Sequence, residues 1–340
     1  MKKICMGLLV ATALAATAVG AQGQSVAPLT LMHTVTLPGY KGDFDHFAVD
    51  RQHGRILMAA EDHATLEVFD LKTGKHLRTV KGFDAPHSII FRPHAATFLI
   101  TDSGPTMTKI LNANTDEIVG SIPLVEGADS SGYDPAANIV YIDTGGKNAN
   151  MKIGEIQAVN PDTGKELGEV KFNDNHVEGM ALEKNGDRLY VNLVQTNKLA
   201  VVSRKTMKII AEWPVSPCKQ NAMVVLNQPE KRLYVVCRQP GMVVGMNSDT
   251  GSVITTQTAP MKADQMLFDA KSHRLYVLGG EGYIGIYDTA DADSLKMIAK
   301  FPSAPGAKTG ILLPDMKRLI VAASPGATGV LAKVLTYSIQ

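Results

Sequence analysis

The sequence predicts an all-β fold, a seven-bladed β-propeller of four-stranded antiparallel blades, and three observations support this prediction. A short strand-like signature returns seven times along the chain. Each repeat contains strand signals separated by turn residues. The last repeat is one strand short, and a matching strand lies near the N-terminus. A repeat of roughly 40–50 residues with strand content is typical of a propeller with one blade per repeat.

The signature reads Arg-Leu-Tyr-Val in its clearest copies, at residues 188–191, 232–235 and 274–277. Weaker copies lie at residues 55–58, 97–100, 139–142 and 318–321. The third position of each copy is used here as the anchor of its repeat. The seven anchors are Leu57, Leu99, Tyr141, Tyr190, Tyr234, Tyr276 and Ile320, at intervals of 42, 42, 49, 44, 42 and 44 residues.

The repeat around Tyr190 shows how four strands fit into one period. Strand-like runs lie at residues 180–182, 188–193, 199–202 and 208–213, with polar turn residues between them. This pattern predicts an antiparallel meander. The last turn opens thirteen residues after the anchor in four repeats, at Asp70, Asn112, Ser203 and Asn247. Such residues open turns by bonding backbone amides ahead of them, so independent features keep one register.

The N-terminal strand is predicted to complete the seventh blade. After residues 318–321 the chain has only one more strand-like run, at 334–339, while residues 31–37 resemble the outer strand of the first repeat at 76–80. Pairing of residues 31–37 with residues 334–339 closes the ring and removes an exposed sheet edge. Residues 29–340 are therefore predicted to form a single domain.

Residues 1–21 have the features of a secretory signal peptide: Lys2 and Lys3, an apolar run from Ile4 to Val19, and small residues ending at Ala21. Cleavage there leaves residues 22–28 as a flexible mature N-terminus and predicts a periplasmic or secreted protein, most simply a monomer. No later stretch is apolar enough to predict a membrane span. Loss of the two lysines changes the formal charge from +1 to −1, and such a chain gives no electrostatic indication of nucleic-acid binding.

Two cysteines remain in the predicted mature chain. Cys218 precedes the innermost strand of its repeat, and Cys237 ends the next strand. In an oxidising compartment such a pair can form a disulfide. The alternative is two buried thiols that pack as small hydrophobic side chains.

The candidate site is a column of residues twelve positions before each anchor, where the innermost strands begin at one mouth of the channel. Six of its seven members are ionisable, although Asp, Glu, Lys and Arg make up only 20% of the chain. The column reads Asp45, His87, Asp129, Glu178, Ala222, Asp264 and Lys308. Neighbouring polar residues extend the predicted ligand-binding mouth to His46, Ser130, Asn221 and Gln265.

Such a ring is suited to a cation, to a small polar ligand, or to acid–base chemistry. It also agrees with a polar channel that only holds water. We expect a non-catalytic binding or scaffold protein, because no complete catalytic motif is present, and an adaptor for an envelope protein is a further reading. The competing hypothesis is a metal-dependent lactonase-like hydrolase or lyase. It would use one divalent ion (Ca²⁺, Mg²⁺, Mn²⁺ or Zn²⁺), with candidate ligands His46, Glu178, Asn221 and Asp264.

With the repeats aligned, the chain resembles the YVTN-type, YncE-like family of exported bacterial seven-bladed propellers. Residues 190–193 (YVNL), 234–237 (YVVC) and 276–279 (YVLG) stand where that family has its name-giving tetrapeptide. The resemblance implies an exported propeller, and most members have no assigned reaction. Gluconolactonase-type propellers hold a divalent metal through Glu, Asn and Asp. Glu178, Asn221 and Asp264 match those residue types but lie on adjacent blades, so this is an analogy of fold.

Overall fold

The computed structural model describes Met1 and residues 28–105, 107–326 and 330–340. The rest of the predicted leader and residues 22–27 lie outside the described residues. Within the described part, 28 strands form seven four-stranded antiparallel sheets. Each innermost strand contacts the innermost strands of the two neighbouring sheets, and the last contacts the first, so the sheets close a ring. The predicted seven-bladed propeller is confirmed.

The blades follow one another along the chain. Within each blade, the strands are given in order from the innermost to the outermost. Blades 1–3 comprise β2 (Phe47–Asp50), β3 (Arg55–Ala60), β4 (Thr65–Asp70) and β5 (His76–Lys81); β6 (Pro86–Arg92), β7 (Thr97–Asp102), β8 (Thr108–Asn112) and β9 (Ile118–Ile122); β10 (Ser131–Asp134), β11 (Ile139–Gly145), β12 (Gly154–Val159) and β13 (Glu166–Phe172). Blades 4–6 comprise β14 (Val177–Leu182), β15 (Arg188–Leu193), β16 (Lys198–Ser203) and β17 (Lys208–Pro214); β18 (Lys219–Asn227), β19 (Arg232–Gln239), β20 (Gly241–Asn247) and β21 (Val253–Thr258); β22 (Ala263–Asp269), β23 (Arg274–Gly279), β24 (Tyr283–Asp288) and β25 (Lys296–Pro302). Blade 7 comprises β26 (Ala307–Leu313), β27 (Arg318–Ala323), β28 (Ala332–Ile339) and β1 (Leu29–Leu37).

The N-terminal strand is the outermost strand of blade 7, as the sequence predicts. β1 pairs antiparallel with β28 along its length, from Leu29 opposite Ile339 to Leu37 opposite Ala332. Leu29 and Leu37 are both buried. Blade 7 is therefore assembled from both ends of the described domain, and it joins blade 6 to blade 1.

The second strand of every blade carries the signature because it lies inside its sheet and between two other blades. Leu189, Tyr190 and Val191 in β15 are fully buried, and the same holds for the central residues of β19 and β23. A strand covered on both faces favours a continuous apolar run over alternation. Seven apolar clusters built from neighbouring blades form the core.

The predicted turn chemistry is also present. The side-chain oxygen of Asp70 accepts hydrogen bonds from the amides of Lys72 and Thr73, at 3.1 and 2.6 Å. Asn112 and Asn247 make the same pair of bonds in their own turns. Gly74 follows in the left-handed region at φ 69°, a conformation that glycine adopts without steric cost.

The signature arginine links four of the blades to the next blade, on the face opposite the inner-strand starts. Arg188 donates to the carbonyl of Ser248 (2.7 Å) and to Asp249 Oδ1 (2.8 Å), in the turn between the third and fourth strands of blade 5. In the described residues, six junctions between blades contain an arginine bridge. These six interblade arginines are Arg55, Arg92, Arg188, Arg204, Arg232 and Arg318. Arg92, at the end of β6, contacts the next blade in the same way, whereas Arg204 reaches back to Asp134 of blade 3.

Arg274 is the exception, and the topology explains it. Its counterpart turn would connect the third and fourth strands of blade 7, but these are β28 and β1, which no turn joins. Arg274 instead pairs with Asp288 of its own blade at 2.8 Å. The junction between blades 6 and 7 therefore lacks this bridge.

Cys218 and Cys237 are joined as a disulfide in the structure, the first of the two alternatives above. Their Cα atoms lie 5.9 Å apart and both residues are buried. Apart from the strands, the described residues include four short 3-10 helices, at Glu61–His63, Pro93–Ala95, Gly146–Ala149 and Pro314–Met316. None of the helices in the described part of the chain is long and apolar enough to cross a membrane.

Candidate functional site

The candidate site is the mouth of the channel where all seven inner strands begin. These strands run in one direction, so their first residues surround a single opening. A polar cavity of about 170 Å³ occupies it. Its lining residues are Asp43, Asp45, His46, Glu61, His87, Asp129, Ser130, Lys147, Asn148, Glu178, Met223, Arg238, Asp264 and Lys308. We call this set the channel mouth; it contains eight of the ten site residues predicted from the sequence.

The other two predicted residues lie outside the lining. Asn221 is fully buried, where its amide donates to Asn192 Oδ1 (2.8 Å) and to the carbonyl of Lys198 (2.9 Å). It therefore connects blades 4 and 5 inside the protein. Gln265 lies behind the mouth, and its Oε1 is 2.9 Å from His46 Nδ1, so it orients a lining residue.

One wall of the mouth combines a histidine with three carboxylates from blades 1–3. His87 Nδ1 lies 2.7 Å from Asp45 Oδ2, 3.5 Å from Asp129 Oδ1 and 3.9 Å from Glu61 Oε2. The His87 side chain is only 5% exposed. We call Asp45, Glu61, His87 and Asp129 the histidine–carboxylate cluster.

Further hydrogen bonds hold this cluster in place. His87 Nε2 lies 3.0 Å from Ser103 Oγ, so the other ring nitrogen is turned toward the carboxylates. Asn148 Nδ2 donates to Asp129 Oδ2 at 2.8 Å, which leaves Asp129 Oδ1 facing His87. Both ring orientation and carboxylate orientation are thus set from outside the cluster.

Burial and mutual charge shift the acidity of the cluster in different directions. Burial alone would raise the pKa of Asp45, but His46 and His87 outweigh burial and lower that pKa to about 2. Burial is the main reason that the pKa of Glu61 rises to about 7 and that the pKa of Asp129 also rises. For His87, burial is outweighed by Asp129 and Asp45, which raise its pKa well above the ordinary value. Positive charge at the centre of the cluster is therefore favoured.

The opposite wall pairs cations with carboxylates of blades 4–7. Arg238 contacts Glu178 (3.2 Å) and Asp264. Lys308 Nζ lies 3.0 Å from Asp264 Oδ2 and 2.9 Å from Asp43 Oδ2. Although burial opposes it, Arg238 holds the pKa of Glu178 well below its usual range. The carboxylates here are compensated by neighbouring cations.

This arrangement separates the four metal-ligand candidates named from the sequence. Glu178 also accepts from Lys147 at 3.3 Å and lies 2.5 Å from His176 Nε2, so three basic groups surround it. Asp264 is held between Arg238 and Lys308. His46 faces Gln265, and Asn221 lies inside the protein. The structure instead brings ligand atoms of Asp45, His87 and Asp129 within 4.8 Å of one another.

A second, larger cavity adjoins the mouth. It measures about 470 Å³ and lies over blades 5–7, where Gln220, Gln239 and Lys262 contribute to its lining. Four residues line both cavities: Asp43, Arg238, Asp264 and Lys308. The paired cations therefore form a wall common to the two spaces.

Several lining residues were missed from the sequence because they lie at or beyond the ends of the second strands and not in the inner strands. Glu61 and Arg238 each lie four positions after an anchor, and so does Ser103, the partner of His87. A second column at that offset contains these three residues. The full column reads Glu61, Ser103, Gly145, Val194, Arg238, Gly280 and Ser324. Lys147 and Asn148 belong to the short helix after β11, which the repeat pattern does not indicate.

Comparison with known proteins supports the fold and gives no activity. No protein-family model and no curated protein matches the chain. Among solved structures, the chain is similar to one from the "Crystal Structure of Mitotic Checkpoint Complex", with a TM-score of 0.74 and 12% sequence identity. The match covers 98% of this chain and 99% of that one. At this identity the likeness shows the seven-bladed fold alone.

Proposed function

We propose that this protein is an exported propeller whose channel mouth binds a small polar ligand, without catalysing a reaction. The observation that carries the proposal is the wall of Arg238 and Lys308, which is shared by the 170 Å³ and 470 Å³ cavities. Together the two spaces accommodate a small molecule, and a ligand lying across them contacts that wall. Sites of this volume range with a few convergent polar groups are typical of small-ligand binding.

The hydrogen-bonding capacity of the wall indicates the kind of ligand. Arg238 has five N–H groups and uses four, on Glu178, Asp264 and the carbonyl of Ala263. Lys308 has three and uses two. Each cation keeps one donor, while the carboxylates beside them keep acceptor lone pairs. Donors and acceptors alternating at close range suit a hydroxylated compound, such as a polyol, a sugar or a hydroxy acid.

We further propose that the chain belongs with the YVTN-type, YncE-like propellers and acts in the periplasm or outside the cell. The tetrapeptides at 190–193, 234–237 and 276–279 support the family, since they occupy the second strands of blades 4–6. The features of residues 1–21 support export.

A lactonase-like hydrolase or lyase is the second candidate function. It is favoured by one observation: the histidine–carboxylate cluster faces Arg238 and Lys308 across a space of only about 170 Å³. A carbonyl compound held there would lie between acid–base groups and cations. Turnover of a panel of lactones and esters by the mature protein distinguishes this candidate from simple binding.

The binding proposal is tested by a thermal-shift screen of neutral sugars, polyols and hydroxy acids, followed by calorimetry on the compounds that stabilise the protein. We expect at least one ligand, and at least tenfold weaker binding by Lys308→Met. Lys300→Met is the matched control, because Lys300 pairs with Glu281 at 3.1 Å and lies outside the lining of both cavities. If no compound binds, or if Lys308→Met binds as tightly as the unmodified protein, the proposal is wrong.

A further inference from the structure

The histidine–carboxylate cluster has the spacing of a metal-coordination sphere. Four ligand atoms held about 2.0–2.2 Å from one ion in a tetrahedron are separated from each other by roughly 3.3–3.6 Å. His87 Nδ1 lies 2.7, 3.5 and 3.9 Å from oxygens of Asp45, Asp129 and Glu61. The ligand atoms of Asp45, His87 and Asp129 also lie within 4.8 Å of one another, so small side-chain adjustments suffice to bring these three around a single ion. Glu61, 3.9 Å from His87 Nδ1, is the nearest fourth group.

The atoms are also presented in the way that metal ligands require. Because Nε2 of His87 is engaged by Ser103 at 3.0 Å, Nδ1 is the nitrogen directed at the cluster. Asn148 occupies Asp129 Oδ2 at 2.8 Å and leaves Oδ1 for coordination. Ligating histidines and carboxylates are usually fixed by such outer hydrogen bonds.

A second observation is that histidines are the only ion-pair partners of the carboxylates on this wall among the described residues. In the described residues, Asp45, Glu61 and Asp129 form ion pairs only with His46 and His87, and none with a lysine or arginine. Asp143 adds another carboxyl behind them: it is 3% exposed, its backbone bonds Asp129 and Ser130, and its Oδ1 has no hydrogen-bond partner among the described residues. Buried carboxylates are ordinarily paired or bound to a metal.

We propose that Asp45, His87 and Asp129, with Glu61 as a fourth ligand, bind one divalent transition-metal ion, Zn²⁺ or Mn²⁺. The imidazole ligand favours Zn²⁺ over Ca²⁺ and Mg²⁺, which prefer oxygen alone, and the three carboxylates also suit Mn²⁺. This site goes beyond the proposed binding of an organic ligand and does not depend on it, because its residues lie on the opposite wall from Arg238 and Lys308.

The experiment is titration of the chelator-treated, mature protein with ZnCl₂ and MnCl₂ by calorimetry, together with elemental analysis of the protein as purified. We expect one equivalent of one of these ions. Asp45→Asn, Asp129→Asn and His87→Gln should each weaken binding at least hundredfold. Glu178→Gln serves as the matched control from the same mouth, because Glu178 contacts Arg238, Lys147 and His176, and it should bind as the unmodified protein does.

The outcomes distinguish absence of the metal site from a wrong assignment of its ligands. If the unmodified protein binds neither ion below millimolar concentration, the metal site does not exist, whereas the organic ligand of the previous section remains testable with Lys308→Met. If His87→Gln and Asp129→Asn keep full affinity while Glu178→Gln loses it, the ligands are those named from the sequence. Folding of each variant is checked by circular dichroism, and the two isosteric Asp→Asn changes give a result even if His87→Gln fails to fold.

Discussion

Charged residues recur at both ends of the blades, and the two ends use them differently. On one face, six interblade arginines each contact the neighbouring blade in much the same way. At the channel mouth, the repeated position changes from blade to blade among aspartate, histidine, glutamate, alanine and lysine. The first face repeats the chemistry even where the position changes, as at Arg92 and Arg204, whereas the mouth repeats position alone.

This difference shows how residues at equivalent positions of a repeat protein can be interpreted. An arginine that makes the same contact at each junction maintains the packing of identical units, so its recurrence has a structural cause. The mouth gains nothing in packing from having Asp45, His87 and Glu178 at equivalent places. Variation of residue type at one repeated position is therefore consistent with the ligand binding that we propose at the mouth. Removing the closing strand, an interblade arginine and a buried carboxylate near the mouth tests this contrast, in order of decreasing expected effect.

Deletion of residues 29–38 should have the largest effect, because it removes β1, which contributes to neither charged set yet completes blade 7. We expect loss of cooperative unfolding or a fall in Tm of more than about 10 °C, since several kcal/mol of burial and pairing disappear. Differential scanning calorimetry measures this. An unchanged Tm would show that ring closure does not maintain either face.

Arg55→Ala should destabilise the protein by about 3 kcal/mol. Arg55 is 5% exposed and pairs with buried Asp50 at 2.8 Å and with Asp116 at 2.6 Å. Its removal leaves the fully buried Asp50 with only His53 as a basic partner and Asp116 with only Arg78. Arg274→Ala is the matched control at the one signature arginine that bridges no blades. Arg274 is 32% exposed, and we expect a loss below about 1 kcal/mol. Urea unfolding compares the two. Equal losses would contradict the role assigned to the bridges.

Asp143→Asn should have the smallest effect and should depend on pH. Burial raises the pKa of Asp143 well above its ordinary value of 3.8. The folded state therefore holds this proton more tightly than the unfolded state, and stability falls as pH rises from about 4 through the raised pKa. Asparagine avoids that loss, so in chelator-treated protein the variant should gain about 1 kcal/mol at pH 8 and nothing at pH 4. A gain at pH 4, or a loss at pH 8, would show that Asp143 is needed as a carboxylate.

The fold could be predicted almost completely because its causes are local and repeated. Buried second strands require the apolar signature, and turns require Asp70, Asn112 and Asn247 at one register. The incomplete last repeat was enough to place β1 beside β28. The reason for the signature arginine was not apparent from the sequence, because its partners belong to the next blade, about 60 residues away.

The site could be predicted in position and only partly in detail. Counting from the anchors placed Asp45, His87 and Asp129 at the mouth, but it could not show that their side chains converge. It also could not show that Arg238 neutralises Glu178 and Asp264, since that arginine comes from the end of a second strand and not from an inner strand. Asn221 illustrates the limit: its register is that of the mouth, yet its side chain turns inward to Asn192. Pairing between loops and strands decides which groups remain available to a ligand.

The pairing of β1 with β28 also determines when the domain can be completed during synthesis. Thr30 and Gln340, which meet at this junction, are 310 positions apart in the chain. Blades 1–6 can form one after another as they leave the ribosome, at about 5–20 residues per second. β1 nevertheless has no pairing partner until β28 has been synthesised. An unfinished chain is therefore an open series of blades with an unpaired strand, and it is liable to aggregate until β1 and β28 pair.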